Sequence, residues 1–142
     1  MRATFKKNER LCKKSDFQKL FNEGKTIVFF PIKAHYLFID SQSTTSEVKV
    51  AFSVSSKRIK TAVERNYIKR IMREAYRKNK HIIIKNLKKN NIFIAFIYLT
   101  EEKYTYANLE KTLCLTLQAI SEKYLQHNEK NEIIHNDTNN NC

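Results

Sequence analysis

The chain has little glycine, little proline and no cysteine pattern. One Gly and one Pro in 142 residues exclude collagen-like, linker-rich and proline-rich architectures. A single glycine also excludes a Gly-rich phosphate loop. Cys12, Cys114 and Cys142 are odd in number and far apart, so they set up no disulfide framework. His35, His81, His127 and His135 fall at no metal-ligand spacing with them, and no metal site is expected. The longest apolar run, Ile92 to Leu99, is too short to cross a bilayer, and no apolar leader follows the basic start. The expected compartment is the cytoplasm, with no membrane partner. No Ser-His-Asp set or paired carboxylates stand out, so no catalytic residue is assigned.

What the chain has in excess is positive charge. Twenty-seven basic residues against 14 acidic give a net charge of +13, while 42% hydrophobic content is enough for one folded domain. The basic start, residues 1–14, reads as irregular. Ser15 to Asn22 reads as a short helix, with Ser15 and Gln18 as a capping box, Gly24 as a left-handed terminator, and Phe17 and Phe21 one turn apart on one face. Residues 26–39 read as extended, with Pro31 marking a bend or an edge. Residues 41–46 are a polar connection. Val48, Val50, Phe52 and Val54 alternate with less apolar neighbours, the period of a strand with one buried face.

Residues 58–79 read as the main helix, with Ser56 as its cap. A basic connector follows over 80–91. The continuous apolar run 92–99 then suits a strand covered on both faces. Leu109, Leu113, Leu117, Ile120 and Tyr124 recur at helical spacing, which predicts a helix over 106–125. Residues 126–142 are Asn-rich and read as a flexible tail beyond a domain spanning 1–125. The order helix, strands, long basic helix, strand, helix predicts a small single-domain α+β fold.

Most of the excess charge falls in one element. Ser56 to Lys80 holds Lys57, Arg58, Lys60, Arg65, Lys69, Arg70, Arg73, Arg77, Lys78 and Lys80 against Glu64 and Glu74 alone. At 100° per residue, Arg65, Lys69, Arg73 and Arg77 step along one side with Asn66 and Arg70. Tyr67, Ile68, Ile71, Met72 and Ala75 are expected on the opposite side, against the sheet. Three successive like-charge pairs destabilise a helix by on the order of 1 kcal/mol in total. A polyanion reverses that penalty, because each neutralised phosphate releases a counterion. Arginine offers a planar fork to phosphate oxygens, and Asn66 can donate and accept at a ribose or base edge. Charge and spacing therefore point to a nucleic-acid binder without separating RNA from DNA. A strand, rather than a second helix across a short turn, precedes the basic helix, which counts against a major-groove DNA reader. A protein-only nuclease would need a carboxylate or histidine cluster, and Glu64 and Glu74 are explained by charge balance within the helix.

The run Arg65-Asn66-Tyr67-Ile68-Lys69-Arg70-Ile71-Met72-Arg73-Glu74 resembles the signature of the bacterial ribonuclease P protein subunit, Arg-Asn-x-x-Lys-Arg-x-x-Arg-Glu. Ala62 and the basic segment around Lys57-Arg58 precede it as in the family. Phe5, Lys7, Arg10-Leu11, Asp16-Phe17, Phe21 and Gly24 match its amino-terminal pattern, and the resemblance spans about residues 5–125. Tyr67 departs from it by standing where many members carry a third arginine, and Ser56 by standing where a lysine is common.

The resemblance implies a sheet of about four strands with a left-handed strand–helix–strand crossover, an exception to the general rule. It implies the protein subunit of the ribonucleoprotein endonuclease that removes the 5′ leader from precursor tRNA. The partners are then the catalytic RNA and precursor tRNA. The chemistry and the required Mg2+ belong to the RNA, with no cofactor on the protein. Arg65, Asn66, Lys69, Arg70 and Arg73 match the RNA-contacting motif. Arg77, Lys57, Arg58 and Lys60 are added as phosphate contacts from their place in the basic stretch. Phe17, Phe21, Tyr36, Lys69 and Arg73 are the candidates for a cleft holding the leader, with His35 as the alternative to Tyr36. A general or ribosomal RNA-binding protein is the competing reading; it explains the charge but not the ordered amino-terminal aromatics.

Overall fold

In a computed structural model, residues 9–40, 47–87 and 90–140 are described, with Asp40 and residues 128–140 described in their backbone only. The basic residues before Glu9 and the polar connection 41–46 lie outside the described residues. The chain runs α1 (Lys14–Glu23), β1 (Lys25–Phe29), β2 (Ile32–Asp40), β3 (Val48–Val54), α2 (Ala62–Asn79), α3 (His81–Ile84), β4 (Asn90–Tyr98) and α4 (Tyr106–Asn140). The α+β expectation holds. The strands form one mixed sheet in the order β1-β2-β4-β3, with β3 and β4 parallel and the other pairs antiparallel.

Pro31 sits in the turn that joins β1 to β2, and the Phe30–Pro31 peptide is cis. The alternating strand at 48–54 and the apolar strand of 92–99 appear where their patterns place them. The second is β4, flanked by β2 and β3, and almost wholly buried. A sheet strand with helices on both faces has no polar side to show, which is why alternation is absent there. The outer edge of β3 is partly covered by the amino-terminal segment, where Arg10 bridges to Val50 and Leu11 N donates to Val50 O at 3.0 Å.

The two faces of the sheet carry different layers. Ile32, Ala34, Tyr36, Val48, Val50, Val54, Ile92, Ile94, Phe96 and Tyr98 pack against α2 and α4, through Ile68, Ile71, Met72, Ala75 and Tyr76 on one helix and Leu109, Leu113, Leu117, Ile120 and Tyr124 on the other. The opposite face, with Phe93, Ala95, Leu37, Ile39 and Ala51, packs against Leu11, Leu20 and Phe17 of α1 and the segment before it. Tyr124 donates from its buried hydroxyl to Asn90 Oδ1 at 3.0 Å, which pins α4 to the start of β4.

Four local expectations are corrected. The first helix begins at Lys14 after Lys13, which makes no side-chain cap bond, so Ser15 and Gln18 form no capping box. Gly24 is extended (φ −75°, ψ 166°), not left-handed; space is what requires glycine there. A Cβ would lie 2.3 Å from the Leu20 carbonyl oxygen and 2.9 Å from that of Tyr36. The main helix starts at Ala62 rather than residue 58, capped by Thr61 rather than Ser56. The last helix does not stop at Leu125 but continues to Asn140 through the segment read as a tail. That segment contains neither glycine nor proline, so nothing in it forces a helix to end.

Gly24→Ala is expected to destabilise the fold by about 1–3 kcal/mol, the usual range for forcing atoms into filled space. Urea unfolding of the variant beside the parent measures this, and a loss well below 1 kcal/mol would show that the α1–β1 junction yields easily.

Candidate nucleic-acid interface

Helix α2 is held at its start by Thr61, whose Oγ1 accepts from Glu64 N at 3.3 Å. Glu64 in the first turn and Arg77 and Lys78 in the last suit the helix dipole. Its inward stripe is Ile68, Ile71, Met72, Ala75 and Tyr76, and the Tyr76 ring sits 6.0 Å from Phe52 and 6.3 Å from Phe96. Burial, with the negative charge of Glu9 second, pushes the Tyr76 hydroxyl well above its ordinary pKa.

Tyr67 is not part of that stripe. It is 61% exposed, and Tyr76 takes the buried aromatic position instead. Helical phase decides this: Tyr76 follows Met72 by four residues and joins the packed side, whereas Tyr67 falls beside Val63 and Arg70 on the outer one.

The outward side divides into cations that are paired within the chain and cations that are not. Arg77 belongs to the first group. Its Nη2 donates to Glu74 Oε2 at 2.9 Å and its Nε to Oε1 at 3.3 Å. That hydrogen bond, ahead of nearby positive charge, holds the Glu74 carboxyl below its usual pKa. Lys78 lies over the Tyr106 ring, 5.3 Å from its centre, and Lys80 Nζ pairs with Glu9 at 3.0 Å. The side chains of Asn66, Lys69, Arg70 and Arg73 make no hydrogen bond or ion pair among the described residues, and stand together in the middle of the helix.

Lys57, Arg58 and Lys60 lie not on α2 but on the loop that feeds it, all three exposed. Arg58 Nη1 donates to Leu99 O. Arg65, at the start of the helix, donates from Nη1 to Ile59 O at 2.8 Å and to Lys60 O at 2.9 Å. The first arginine of the motif therefore binds its own backbone.

The aromatic candidates gather on the other side of the sheet. Phe17 and Phe21 lie nearly parallel, with ring centres 6.3 Å apart. Phe17 is partly buried against the small core of that face, while Phe21 is 50% exposed. The third ring is His35, edge-on to Phe21 at 4.9 Å and hydrogen-bonded through Nδ1 to Thr26 Oγ1 at 3.2 Å. Tyr36 is corrected here: it is 3% exposed and turned into the α2–α4 core. Neighbouring strand residues point to opposite faces, so His35 and Tyr36 cannot both line the surface.

Lys69 and Arg73 are also corrected as cleft residues. They belong to the layer on the far side of the sheet, and the structure does not bring them to Phe17 and Phe21. Lys33 does share the face of His35. The alternation Ile32-Lys33-Ala34-His35-Tyr36 carries the signal that places Lys33 and His35 together, once Ile32 and Ala34 are taken as the buried phase.

Among the described residues, no group of three His, Cys, Asp or Glu is placed to hold a metal ion, and no helix is long and apolar enough to cross a membrane.

The family model described as Ribonuclease P matches residues 5–121, which takes in α1, the whole sheet and the basic helix. The chain belongs to the ribonuclease P protein family. A Porphyromonas gingivalis protein named ribonuclease P protein component is 34% identical over 134 residues, covering 92% of this chain and 97% of that one. One of the same name from Desulforapulum autotrophicum is 42% identical over 85 residues, covering 58% and 67%. The solved ribonuclease P protein of Thermotoga maritima superposes with a TM-score of 0.61 at 26% identity, over 78% of this chain and 96% of that chain. The Staphylococcus aureus protein gives 0.60 at 22% identity, over 79% and 94%, which supports the fold. This family membership makes the chain a ribonuclease P protein subunit.

Burial, and then the charge of Lys33, lowers the pKa of His35 below 6.5. The ring beside Phe21 is therefore neutral at pH 7. Since the folded state resists protonation, this site contributes no destabilisation above the ordinary histidine range and an increasing one as pH falls below it. Proton NMR titration is expected to place His35 below 6.5 and to move it upward in Lys33→Ala; a titration at or above 6.5 in the parent would contradict the packing described.

Proposed function

We propose that this protein binds the catalytic RNA of ribonuclease P through the outward side of α2 and the loop before it, and the 5′ leader of precursor tRNA through the aromatic surface beside α1. Cleavage of the leader is then the work of the RNA, in the cytoplasm. The observation that carries this reading is the group Asn66, Lys69, Arg70 and Arg73, exposed or partly exposed side by side without a hydrogen-bond or ion-pair partner among the described residues. The mutual repulsion of Lys69, Arg70 and Arg73 is unfavourable in the free protein and is relieved by a phosphate backbone. Lys57, Arg58 and Lys60 extend the positive surface towards the start of the helix, and Tyr67 adds an exposed ring on which an unpaired base can stack.

Phe21 and His35 offer rings to single-stranded bases, with Lys33 near the backbone. Phe17 acts behind them, holding α1 on the sheet. Leader and catalytic RNA then lie against opposite layers of one small domain. In this reading the Mg2+ ions of the reaction are held by the RNA. The residues of this chain bind and orient, and no covalent step is assigned to them.

Arg70→Ala and Arg73→Ala are each expected to weaken binding to the catalytic RNA by about tenfold, roughly 1.4 kcal/mol, with melting temperature unchanged. Binding by the parent is expected to fall with salt at a log–log slope near about −4 for five neutralised phosphates, and each variant to reduce that slope by roughly 1. Parent-like affinity in both variants would remove this face from the interface.

Reconstitution tests the function itself. Purified protein, the catalytic RNA of the same organism and end-labelled precursor tRNA are combined at low magnesium, beside protein alone and RNA alone. Leader removal in the mixture alone is expected. Cleavage by protein alone would require an active site on this chain, and tight binding without stimulated cleavage would favour a general RNA-binding protein.

A further inference from the structure

The loop between β3 and α2 is short, exposed and strongly cationic, yet it is fixed at every turn. Arg58 N and Ile59 N donate to Ser55 O at 3.2 and 3.0 Å. Lys57 N donates to Ser55 Oγ at 3.2 Å. Arg58 reaches the Leu99 carbonyl at the end of β4, and the Ile59 side chain is buried in the main core. The last fixing point comes from the helix. Arg65 Nη1 donates to two successive carbonyls, Ile59 and Lys60, immediately before the capping residue Thr61.

One nitrogen bridging two adjacent carbonyls sets the direction of the chain at Lys60. A guanidinium does this with both of its terminal N–H bonds in one plane, a geometry that a lysine ammonium does not reproduce. Without the bridge the two carbonyls would turn to water, and the loop would keep its hydrophobic anchor but lose its orientation to the helix. The Nε and Nη2 of Arg65 make no hydrogen bond among the described residues, so its other edge remains on the basic side.

The geometry points to Arg65 as a positioning residue: it locks the Lys57–Lys60 loop in register with Asn66, Lys69 and Arg70, so that loop and helix meet the RNA backbone as one surface. This rests on the RNA-binding reading of α2 and assigns Arg65 a role that a simple phosphate contact does not have. A single phosphate contact is independent of its neighbours, whereas a clamp couples to every cation on the loop that it holds.

The test is a binding cycle on the full chain with the catalytic RNA, using Arg65→Ala, Lys60→Ala and the double variant, with amide exchange measured on the free proteins. Lys60→Ala is expected to weaken binding about fivefold in the parent and less than about twofold once Arg65 is replaced, a coupling of the size seen between residues of one network. Arg65→Ala is expected to reduce the salt slope by clearly more than the roughly 1 of a single contact. Arg65→Lys, which keeps the charge, is expected to lose protection of the Arg58 and Ile59 amides by about tenfold or more and not to restore parent affinity. Should Arg65→Ala fail to fold, Arg65→Lys takes its place in the cycle. Additive effects, or unchanged exchange in Arg65→Lys, overturn the inference. Arg70→Ala and Arg73→Ala separate the two levels: if both bind as the parent does, the RNA-binding reading itself fails; if they weaken binding while the cycle is additive, only the role of Arg65 fails.

Discussion

The packing of Ile68, Ile71, Met72, Ala75 and Tyr76 against β3 and α4 holds α2 in place against the repulsion of its own cations. An isolated helix with this sequence would lose stability to its row of like charges. Here the buried side chains outweigh that loss many times over, since each large apolar residue removed from water contributes roughly 1.5–3 kcal/mol. The parallel pairing of β3 with β4 is what makes the packing possible: the crossover must lie over the sheet, so one side of α2 is buried and the other is left to solvent and to a partner. The basic face is a consequence of the apolar one.

That dependence explains why much of the architecture was readable in the residues. Strand alternation at 48–54, the apolar run of β4 and the helical spacing of Leu109 to Tyr124 each reflect burial, and burial leaves a period. Readings that depended on local chemistry fared less well. Ser56 and Thr61 are both good caps; Thr61 caps the helix, and the turn after Ser55 instead delivers Ile59 into the core. Gly24 looks like a helix terminator in sequence. Its requirement comes from two carbonyls, that of Leu20 in its own helix and that of Tyr36 on β2, the second a neighbour that only the folded hairpin supplies.

The candidate site divides in the same way. The cations of α2 were visible from spacing alone, but which of them are already paired was not. Arg77 and Arg73 are one helical turn apart and look equivalent in sequence; Glu74 is bonded to the first and not to the second. On the other face, Pro31 interrupts the strand period, so the sequence alone leaves both Tyr36 and His35 as aromatic partners for Phe21. The hairpin register, with His35 opposite Thr26 and Ala95, turns the imidazole outward and the phenol inward.

Two surfaces on opposite layers of one sheet place a specific demand on the fold. If RNA lies along α2 and a leader along α1, their separation is set by the thickness of the sheet and by side chains that touch neither. Leu20 of α1 with Phe93 and Ala95 beneath it, and Val50, Phe52 and Phe96 beneath α2, then matter through their volume. β4 contributes to both sets and is buried on both faces, so a change in its packing moves the two surfaces relative to each other. Interiors packed to native density transmit such changes rather than absorbing them. The helix displays the charge, but β4 fixes where that charge stands relative to the aromatic surface.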